Sequence, residues 1–443
     1  MACARMNREP SLLEAHIDGM THDGRGVAKV AGKTVFVTGA LRGETVRFRY
    51  SRRRGKFDEA QAVEVLLGSD QRVVPRCAHF DRCGGCSLQH LDPRAQVAEK
   101  QTILLDQLRS IARAEPAVIF APITGQSWGY RRRARLGVKY VVKKDALLVG
   151  FRERSSSFVS EVVRCEVLHP SVGERLQDLR QLIGGLEACR HIPQVEVAVG
   201  DDATALVLRH LVPLHDGDLE KLGRFAERHG LMIYLQPGGP GSVHRLWPPE
   251  GRLGYRLAEF GVDFEFMPTQ FVQVNGEVNR KMVTRAVELL EPEPGEKVLD
   301  LFCGIGNFTL PLGRVGAHAT GVEGDRALVE AARANAERNG LESVRFEVAD
   351  LDEPQGLRRW QATGFSKLLL DPPRSGAWNV VGQARQLGVN RIVYVSCNPS
   401  TLARDASELI ARQGFSLAGA GVIDMFPHTA HLESIALFTK QDP

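Results

Sequence analysis

The first candidate for chemistry is a cysteine at the end of an apolar strand, Cys397 in Ile392-Val393-Tyr394-Val395-Ser396-Cys397-Asn398-Pro399. Upstream, Lys367-Leu368-Leu369-Leu370 runs into Asp371-Pro372-Pro373-Arg374. Further upstream, Val298-Leu299-Asp300-Leu301-Phe302-Cys303 runs into Gly304-Ile305-Gly306-Asn307. Three predicted strands each deliver a reactive or binding group at the carboxyl end, the edge at which open α/β sheets bind ligands. A thiol beside a nucleotide-type pocket suits covalent chemistry on a base.

C5 of a pyrimidine is a poor nucleophile towards a methyl sulfonium. Adding a thiolate to C6 makes the ring an enolate, and C5 then attacks the methyl group. Covalent catalysis thus divides one hard step into easier ones. A base must afterwards remove the C5 proton so that the thiolate leaves by β-elimination. Cys397 offers the thiol. Glu433, in His428-Thr429-Ala430-His431-Leu432-Glu433-Ser434, is the best candidate base. An inert buried thiol is the ordinary alternative, since unreactive cysteines are commonly buried; the Ser-Cys-Asn-Pro strand end argues for reaction. Cys303 lies in the cofactor turn and is read as structural.

The glycines of Gly304-Ile305-Gly306 let the backbone approach a ligand closely. The third glycine of the dinucleotide fingerprint is missing, so this turn alone says little. Glu323 ends the next predicted strand, where an acid pairs with ribose hydroxyls. Asp350 ends the third, where an adenine amino group would lie. The pocket can therefore seat an adenosyl group, which nicotinamide cofactors also carry. Asp371-Pro372-Pro373 separates the two readings, because a rigid corner with exposed backbone suits holding a planar base. The alternative for Asp371 is a satisfied turn residue.

Cys77, Cys83 and Cys86 stand at C-x5-C-x2-C, with Gly84-Gly85 between the last two, and Cys165 lies far downstream. Three thiols in a glycine-bearing loop plus a remote fourth fit an iron–sulfur cluster. Zinc would accept the same donors. The first spacing is outside that usual for zinc ribbons, which favours iron–sulfur. Coincidental reduced cysteines are the bland alternative.

The 443 residues exceed one ordinary core and suit about three domains. No apolar run is long enough to span a membrane. The first residues, Met1-Ala2-Cys3-Ala4-Arg5-Met6-Asn7-Arg8, lack an apolar leader, so a cytoplasmic protein is expected. In that reducing setting the eight cysteines point to metal or catalytic roles before disulfides. The net charge of +4 says little, but its distribution says more. Arg42, Arg47, Arg49, Arg52, Arg53, Arg54 and Lys56 crowd one stretch, and Arg131, Arg132, Arg133 and Arg135 another beside Trp128 and Tyr130. Basic clusters beside aromatics suit a phosphate backbone with stacked bases; each could also be a solvated face.

Residues 1–68 are expected to hold a small closed barrel of the OB type, with strands over 27–30, 34–38, 45–50 and 59–66. Residues 69–267 read as a central α+β domain. It includes a helix over 93–113 whose stripe is Val97, Ile103, Leu104, Leu108 and Ile111, and a hairpin around Gly200-Asp201-Asp202. Residues 268–443 read as a doubly wound sheet, with strands at 297–301, 318–323, 344–348, 367–371, 391–396, 417–424 and 433–439. Helices are expected between the first six, and the last two strands as an antiparallel edge.

Taken together, these motifs resemble the bacterial RNA uracil-C5 methyltransferases, and within them the enzymes of 23S rRNA. The resemblance covers nearly the whole chain. It implies a class I, Rossmann-like S-adenosyl-L-methionine-dependent catalytic domain, an N-terminal OB-like TRAM barrel and a central iron–sulfur domain. The cysteines fit the family's 4Fe-4S ligands as Cys77, Cys83, Cys86 and Cys165. Gly129-Tyr130-Arg131-Arg132-Arg133-Ala134-Arg135 and Gly150-Phe151-Arg152 look familial, as does Phe271-Val272-Gln273-Val274-Asn275. Carried over, Gln273, Phe302, Asn307, Glu323 and Asp371 would line the S-adenosyl-L-methionine site. Asp350 falls where a member of the family carries asparagine. Cys397 matches the nucleophile and Glu433 the base. The implied partner is 23S rRNA, engaged by a monomer with no obligate protein partner and no membrane. RNA cytosine-C5 methyltransferases share the strand-end cysteine but carry a second one where this chain has Arg374. Action on another rRNA site or on tRNA, and a non-catalytic RNA-binding assembly factor on a methyltransferase fold, are the competing readings.

Overall fold

The computed structural model describes residues 12–440 except 155, 354–356 and 362; the leader reading at residues 1–8 lies outside the described residues. The chain divides into two compact units. One holds the N-terminal strands through Phe80, Cys86–Ile103 and Pro427–His431, and the other holds Asp81–Gly85, Leu104–Phe426 and the chain from Leu432.

The smaller unit is built on six strands, β1 (Leu13–His16), β2 (Gly19–Met20), β3 (Gly26–Val30), β4 (Lys33–Thr38), β5 (Thr45–Arg53) and β6 (Phe57–Leu67). They form one sheet in the order β1-β5-β6-β4-β3-β2. β1 and β2 lie at its opposite edges, yet Ile17 and Asp18 alone separate them. So short a link cannot reach across a flat sheet, so the sheet curls until its edges meet. Asp18 N donates to Val27 O and Ile17 N to Glu44 O, tying this link to both sides. Alternate residues fill the interior, including Ile17, Val35, Val37, Val46 and Phe48; each fully buried side chain of this size is worth about 1.5–3 kcal/mol. Gly26 is needed there, because a Cβ would lie 2.8 Å from Ile17 Cγ2. The strands expected from sequence are present and slightly longer. β1 and β2 were not expected, being too short to show alternation.

Helix α1 (Pro93–Gln107) passes into a wider turn over Leu108–Ala112 that ends on left-handed Arg113. Its buried face is Ala95, Gln96, Lys100, Leu104, Leu108 and Ala112, whereas Ile111 is exposed. The expected apolar stripe is thus rotated. Gln96 faces inward because its amide donates to Leu88 O and Leu91 O, at 3.0 and 2.8 Å.

In the larger unit, β7 (Val118–Ile119) precedes β8 (Arg133–Val141) and β9 (Ala146–Gly150), followed by helices α2 (Pro170–Gly173) and α3 (Leu176–Gly184). Next come β10 (Gln194–Val199), β11 (Thr204–Arg209), α4 (Asp216–His229), β12 (Met232–Gln236) and β13 (His244–Trp247). The second sheet runs β13-β12-β11-β10-β8-β9. One face packs on α3 and α4 through Leu179, Ile183, Leu222 and Ala226. The other face, with Ala198, Ala205, Val207 and Tyr234, packs on the hairpin β14 (Gly254–Leu257)–β15 (Val262–Glu265) and on α5 (Gly276–Leu290). The same apolar cluster continues into the eight-stranded sheet through Val298, Leu369 and Val393.

That sheet contains β16 (Lys297–Leu301), β17 (His318–Glu323), β18 (Val344–Val348), β19 (Lys367–Leu370), β20 (Arg391–Ser396), β21 (Phe415–Ile423) and β22 (Glu433–Lys440). Helices α6 (Thr309–Arg314), α7 (Arg326–Arg338), α8 (Trp378–Val381), α9 (Ala384–Leu387) and α10 (Pro399–Ala411) connect them. The order is β18-β17-β16-β19-β20-β22-β21-β7. β16 to β20 are parallel, and β22 returns antiparallel between β20 and β21. Two expectations are corrected. Among the described residues the β18–β19 connection holds only a single helical turn at Arg358–Trp360. β21 is not the edge, because β7 pairs beside it in parallel.

Candidate active site

The carboxyl ends of β16, β17 and β19 meet where the sequence placed them. Phe302 N and Cys303 N donate to Val322 O, at 2.9 and 3.1 Å, so the chain leaving β16 turns over β17. Phe302 takes a left-handed φ of 66°, rare for a bulky residue. Gly306 has φ +91°, and a Cβ there would lie 2.3 Å from Leu310 Cδ1. The Glu323 carboxylate accepts from Gly304 N at 3.1 Å, Gly324 N at 2.8 Å and Asp325 N at 3.1 Å. Asp325 then caps α7 by accepting from Ala327 N. Asp350 is exposed and accepts from Asp352 N at 2.9 Å. Asp371 N donates to Leu301 O at 3.4 Å, which holds the Asp-Pro-Pro corner beside β16. Burial pushes the Asp371 carboxyl up to about 7.

Asn307 is held from below. Its Oδ1 accepts from Tyr255 OH at 2.9 Å and from Asn279 Nδ2 at 3.1 Å, while its Nδ2 donates to Asn279 Oδ1 at 2.9 Å. Most of the side-chain amide is thus committed to α5 and β14, so the position is fixed by residues that no local motif reveals. Asp300, fully buried, accepts from the Thr309 hydroxyl at the start of α6, and its other oxygen is buried without a partner. Burial pushes its carboxyl up to about 8, aided by Asp371 and Glu323. Burial likewise holds the Cys303 thiol well above its ordinary value, consistent with a structural residue. On the other side, Val274 O accepts from Arg132 N at 2.8 Å, and Asn275 caps α5 through Val278 N. Gln273, which precedes both anchors, is half-buried and Phe271 is exposed.

The two candidate reacting residues are brought together by register. Ser396 of β20 lies opposite Ser434 of β22, so the next residues outward, Cys397 and Glu433, face one another across the antiparallel pair; opposed positions bring Cβ atoms to about 5 Å. Cys397 is half-buried and Glu433 buried. Burial pushes the Cys397 thiol up, the Glu433 and Asp371 carboxylates act in the same direction, and the Arg374 guanidinium opposes them. Asn398 ends the strand and caps α10 by accepting from Ser400 N, with Pro399 at the first helical position.

Helix α10 also braces the loop that carries Asp371 and Arg374. Asn398 Nδ2 and the Thr401 hydroxyl donate to Arg374 O, at 3.1 and 3.3 Å, and Arg404 donates to Ser375 O at 2.9 Å. Ala377 N donates to Asp405 Oδ2 at 2.7 Å and lies 3.1 Å from Tyr394 Oη, whose hydroxyl donates to Asp405 at 2.7 Å. Burial and Asp405 keep the Tyr394 phenol strongly raised, and therefore protonated. Tyr394, Asn398, Arg404 and Asp405 were missed as site residues. Only the strand-end Asn-Pro step signalled any of them.

The four cysteines are distributed between the two units, Cys77 and Cys86 in the smaller, Cys83 and Cys165 in the larger. Cys77 N donates to Gln89 Oε1 at 3.1 Å. Cys86 is buried and precedes Ser87, whose N donates to His428 O at 3.0 Å. Cys83 Sγ lies 3.4 Å from Gly85 N. A Cβ at Gly85 would press on Cys83 Sγ and Phe151, and one at Gly84 on Arg152 O, so both glycines serve close approach. Cys83 and Cys165 border one apolar cluster with Phe151. Among the described residues no group of three or more Cys, His, Asp or Glu side chains forms a metal-ligating set.

In the second basic run Arg131, Arg132 and Arg133 are half-buried and Arg135 is exposed. Arg132 pairs with Asp201, Arg133 donates to Pro268 O and Arg135 pairs with Glu196. The first run stays outward. Arg52, Arg53, Arg54 and Lys56 are exposed on the β5–β6 hairpin, with Arg53 over the Tyr50 ring and Arg54 over Phe57.

The family described as tRNA (Uracil-5-)-methyltransferase matches residues 255–441. The 23S rRNA (uracil(1939)-C(5))-methyltransferase RlmD of Nitrosococcus oceani is 56% identical over 98% of this chain and 97% of its own length. The enzyme of the same name from Alkalilimnicola ehrlichii is 52% identical over 99% and 98%. The solved Pyrococcus abyssi tRNA (uracil-54, C5)-methyltransferase, in complex with S-adenosyl-L-homocysteine, superposes with a TM-score of 0.74 at 24% identity, over 96% of this chain and 99% of that one. That likeness shows a shared mixed α/β fold over nearly the whole length. With this fold and the full-length identity above 50%, the chain belongs to the RNA (uracil-C5)-methyltransferase family, in the 23S rRNA branch named RlmD.

Proposed function

We propose that this protein transfers a methyl group from S-adenosyl-L-methionine to C5 of one uridine in 23S rRNA, giving 5-methyluridine. The observation that carries the reading is the β20–β22 register, which sets Cys397 opposite Glu433 at the sheet edge beside the Asp371 corner. The Cys397 thiolate adds to C6 and makes C5 nucleophilic. C5 takes the methyl group, which leaves the sulfonium with its bonding electrons on sulfur. Glu433 removes the C5 proton, the C5–C6 double bond reforms and the thiolate is expelled. The uridine must leave its stack to reach the thiol. Arg374 opposes the carboxylates around Cys397 and so favours its thiolate.

The Phe302–Asn307 turn, Glu323 and Asp371 would hold the cofactor, which supplies the electrophilic methyl group. The turn fits such a ligand, with its glycines admitting backbone approach and Glu323 at the strand end. Gln273 would approach from the α5 side. Asp350, which caps its own turn, would complete the set.

The work would divide among residues 1–68 as a TRAM barrel binding RNA, 69–267 as the iron–sulfur and RNA-binding domain and 268–443 as the methyltransferase domain. Cys77, Cys83, Cys86 and Cys165 would bind a 4Fe-4S cluster, four thiols being the donor set such a cluster takes. Protein purified without oxygen should then be brown, and Cys83→Ser colourless. A colourless wild type with one zinc per chain would overturn this. Among the described residues no helix is long and apolar enough to cross a membrane. The protein is read, from the family resemblance, as a cytoplasmic monomer. The deciding experiment maps 5-methyluridine in rRNA and tRNA after incubation with wild type and Cys397→Ala. Methyl on one 23S position, absent with the variant, is expected. Methylation only of tRNA would refute the substrate, and normal turnover by Cys397→Ala the mechanism.

A further inference from the structure

The hairpin turn between β10 and β11 carries a carboxylate that the reaction as described does not use. Asp201 accepts from Arg132 Nη1 at 2.5 Å and from Arg280 Nη2 at 2.7 Å on each oxygen, and its Oδ2 accepts from Arg256 N at 2.8 Å. Arg280 Nε donates to Arg256 O at 2.9 Å, and Asp201 N to Gly254 O at 2.8 Å. One turn of the central sheet thus binds the residues before β8, helix α5 and strand β14. The approach is close enough to demand glycine. A Cβ at Gly200 would lie 2.4 Å from Gly254 O, and one at Gly276 2.8 Å from Arg132 Cζ. Burial alone would raise the Asp201 carboxyl, but the Arg280 and Arg132 guanidiniums and the Arg256 amide outweigh it and keep it low.

Each element that Asp201 grips also carries a group next to the cofactor turn. Tyr255 precedes Arg256, Asn279 precedes Arg280, and these two side chains hold the Asn307 amide. Arg132 N holds Val274 O, beside Gln273. The carboxylate is therefore linked through two residues to each of two groups assigned to the cofactor, through Arg280 and Asn279 to Asn307 and through Arg132 and Val274 to Gln273. We propose that Asp201 is a positioning residue for the cofactor pocket, tying the central sheet to the two segments that frame S-adenosyl-L-methionine. The proposal rests on the cofactor reading given above. Asp201 touches neither reactant and acts through Arg132, Arg256 and Arg280.

The test measures S-adenosyl-L-methionine affinity by calorimetry and target-RNA affinity by filter binding, on the full chain. Wild type is compared with Asp201→Asn, Arg280→Met and the double variant. Asp201→Asn should weaken cofactor binding about tenfold, the scale of losing charge-assisted hydrogen bonds. RNA affinity should hold within about twofold or tighten, because two guanidiniums lose their counter-charge. Arg280→Met should show the same split, and the double variant should lose far less than the sum, since both act through one ion pair. In turnover, KM for the cofactor should rise more than kcat falls. Equal losses for cofactor and RNA, or unchanged cofactor affinity in a folded Asp201→Asn, would overturn the proposal. Should Asp201→Asn fail to fold, additive losses in Arg280→Met paired with Asn279→Ala would overturn it equally. Wild type that binds no S-adenosyl-L-methionine would overturn the underlying function instead.

Discussion

Replacing Glu433 by Gln should separate methyl transfer from release of the product. The substitution keeps the shape of the side chain, so the β20–β22 register and the placement of Cys397 persist. Adduct formation and methyl transfer need the thiolate and the cofactor. Only the later removal of the C5 proton needs the carboxylate. A positioned general base is worth about 10²–10⁴-fold. Glu433 is only 6% exposed, so bulk water is poorly placed to substitute, and the loss belongs near the upper end, about 10³–10⁴-fold. A second effect has the opposite sign. The Glu433 carboxylate helps to hold the Cys397 thiol above its ordinary range. Removing that charge lowers the thiol, so more thiolate is present at neutral pH and the adduct forms at least as fast as in wild type. Rapid quenching with methyl-labelled S-adenosyl-L-methionine and target RNA, followed by a denaturing gel, reads both steps. Labelled protein–RNA adduct should accumulate towards one per enzyme while free methylated RNA appears slowly. Free 5-methyluridine released at the wild-type rate would refute the role of Glu433. Loss of adduct and product together would refute the separation of steps.

Arg374→Ala removes the positive charge that opposes the carboxylates around Cys397; the pH–rate profile for adduct formation should move towards alkaline pH, and an unmoved profile would refute that balance. Asp300 holds its proton to about pH 8 in the folded chain against about 3.9 when unfolded. The folded state therefore binds more protons in this window, and the contribution of Asp300 is full below about pH 4 and lost as pH rises through about 8. In Asp300→Asn the thermal midpoint should fall less steeply with pH than in wild type, with a residual slope from Asp371, and parallel profiles would contradict a buried, protonated Asp300. Changing Arg52, Arg53 and Lys56 to Ala should make the salt dependence of RNA binding shallower by about 0.7 in log–log slope for each phosphate no longer neutralised, with cofactor affinity unchanged; identical slopes would remove this hairpin from the RNA surface.

The strand ends were legible in the sequence because they are local. A run such as Lys367-Leu368-Leu369-Leu370 is apolar because both faces of a central parallel strand are covered. The residue after it must therefore emerge at the sheet edge, and β16 to β20 lie within a residue of where they were expected. The Gly304-Ile305-Gly306 turn was legible for the same reason, since its backbone conformation is written in its own residues. Pairings between distant segments were not legible. Nothing local in Glu433 says that β22 inserts between β20 and β21, yet that insertion sets it opposite Cys397. Arg132 reads as a solvated base until its guanidinium is seen to meet Asp201, sixty-nine positions away. Nothing local in Asn307 says that Asn279 and Tyr255 hold its amide. Periodicity reports which side of its own element a residue occupies. A hydrogen bond between two elements depends on how they pack, so the tertiary structure alone decided which polar groups meet one another across elements.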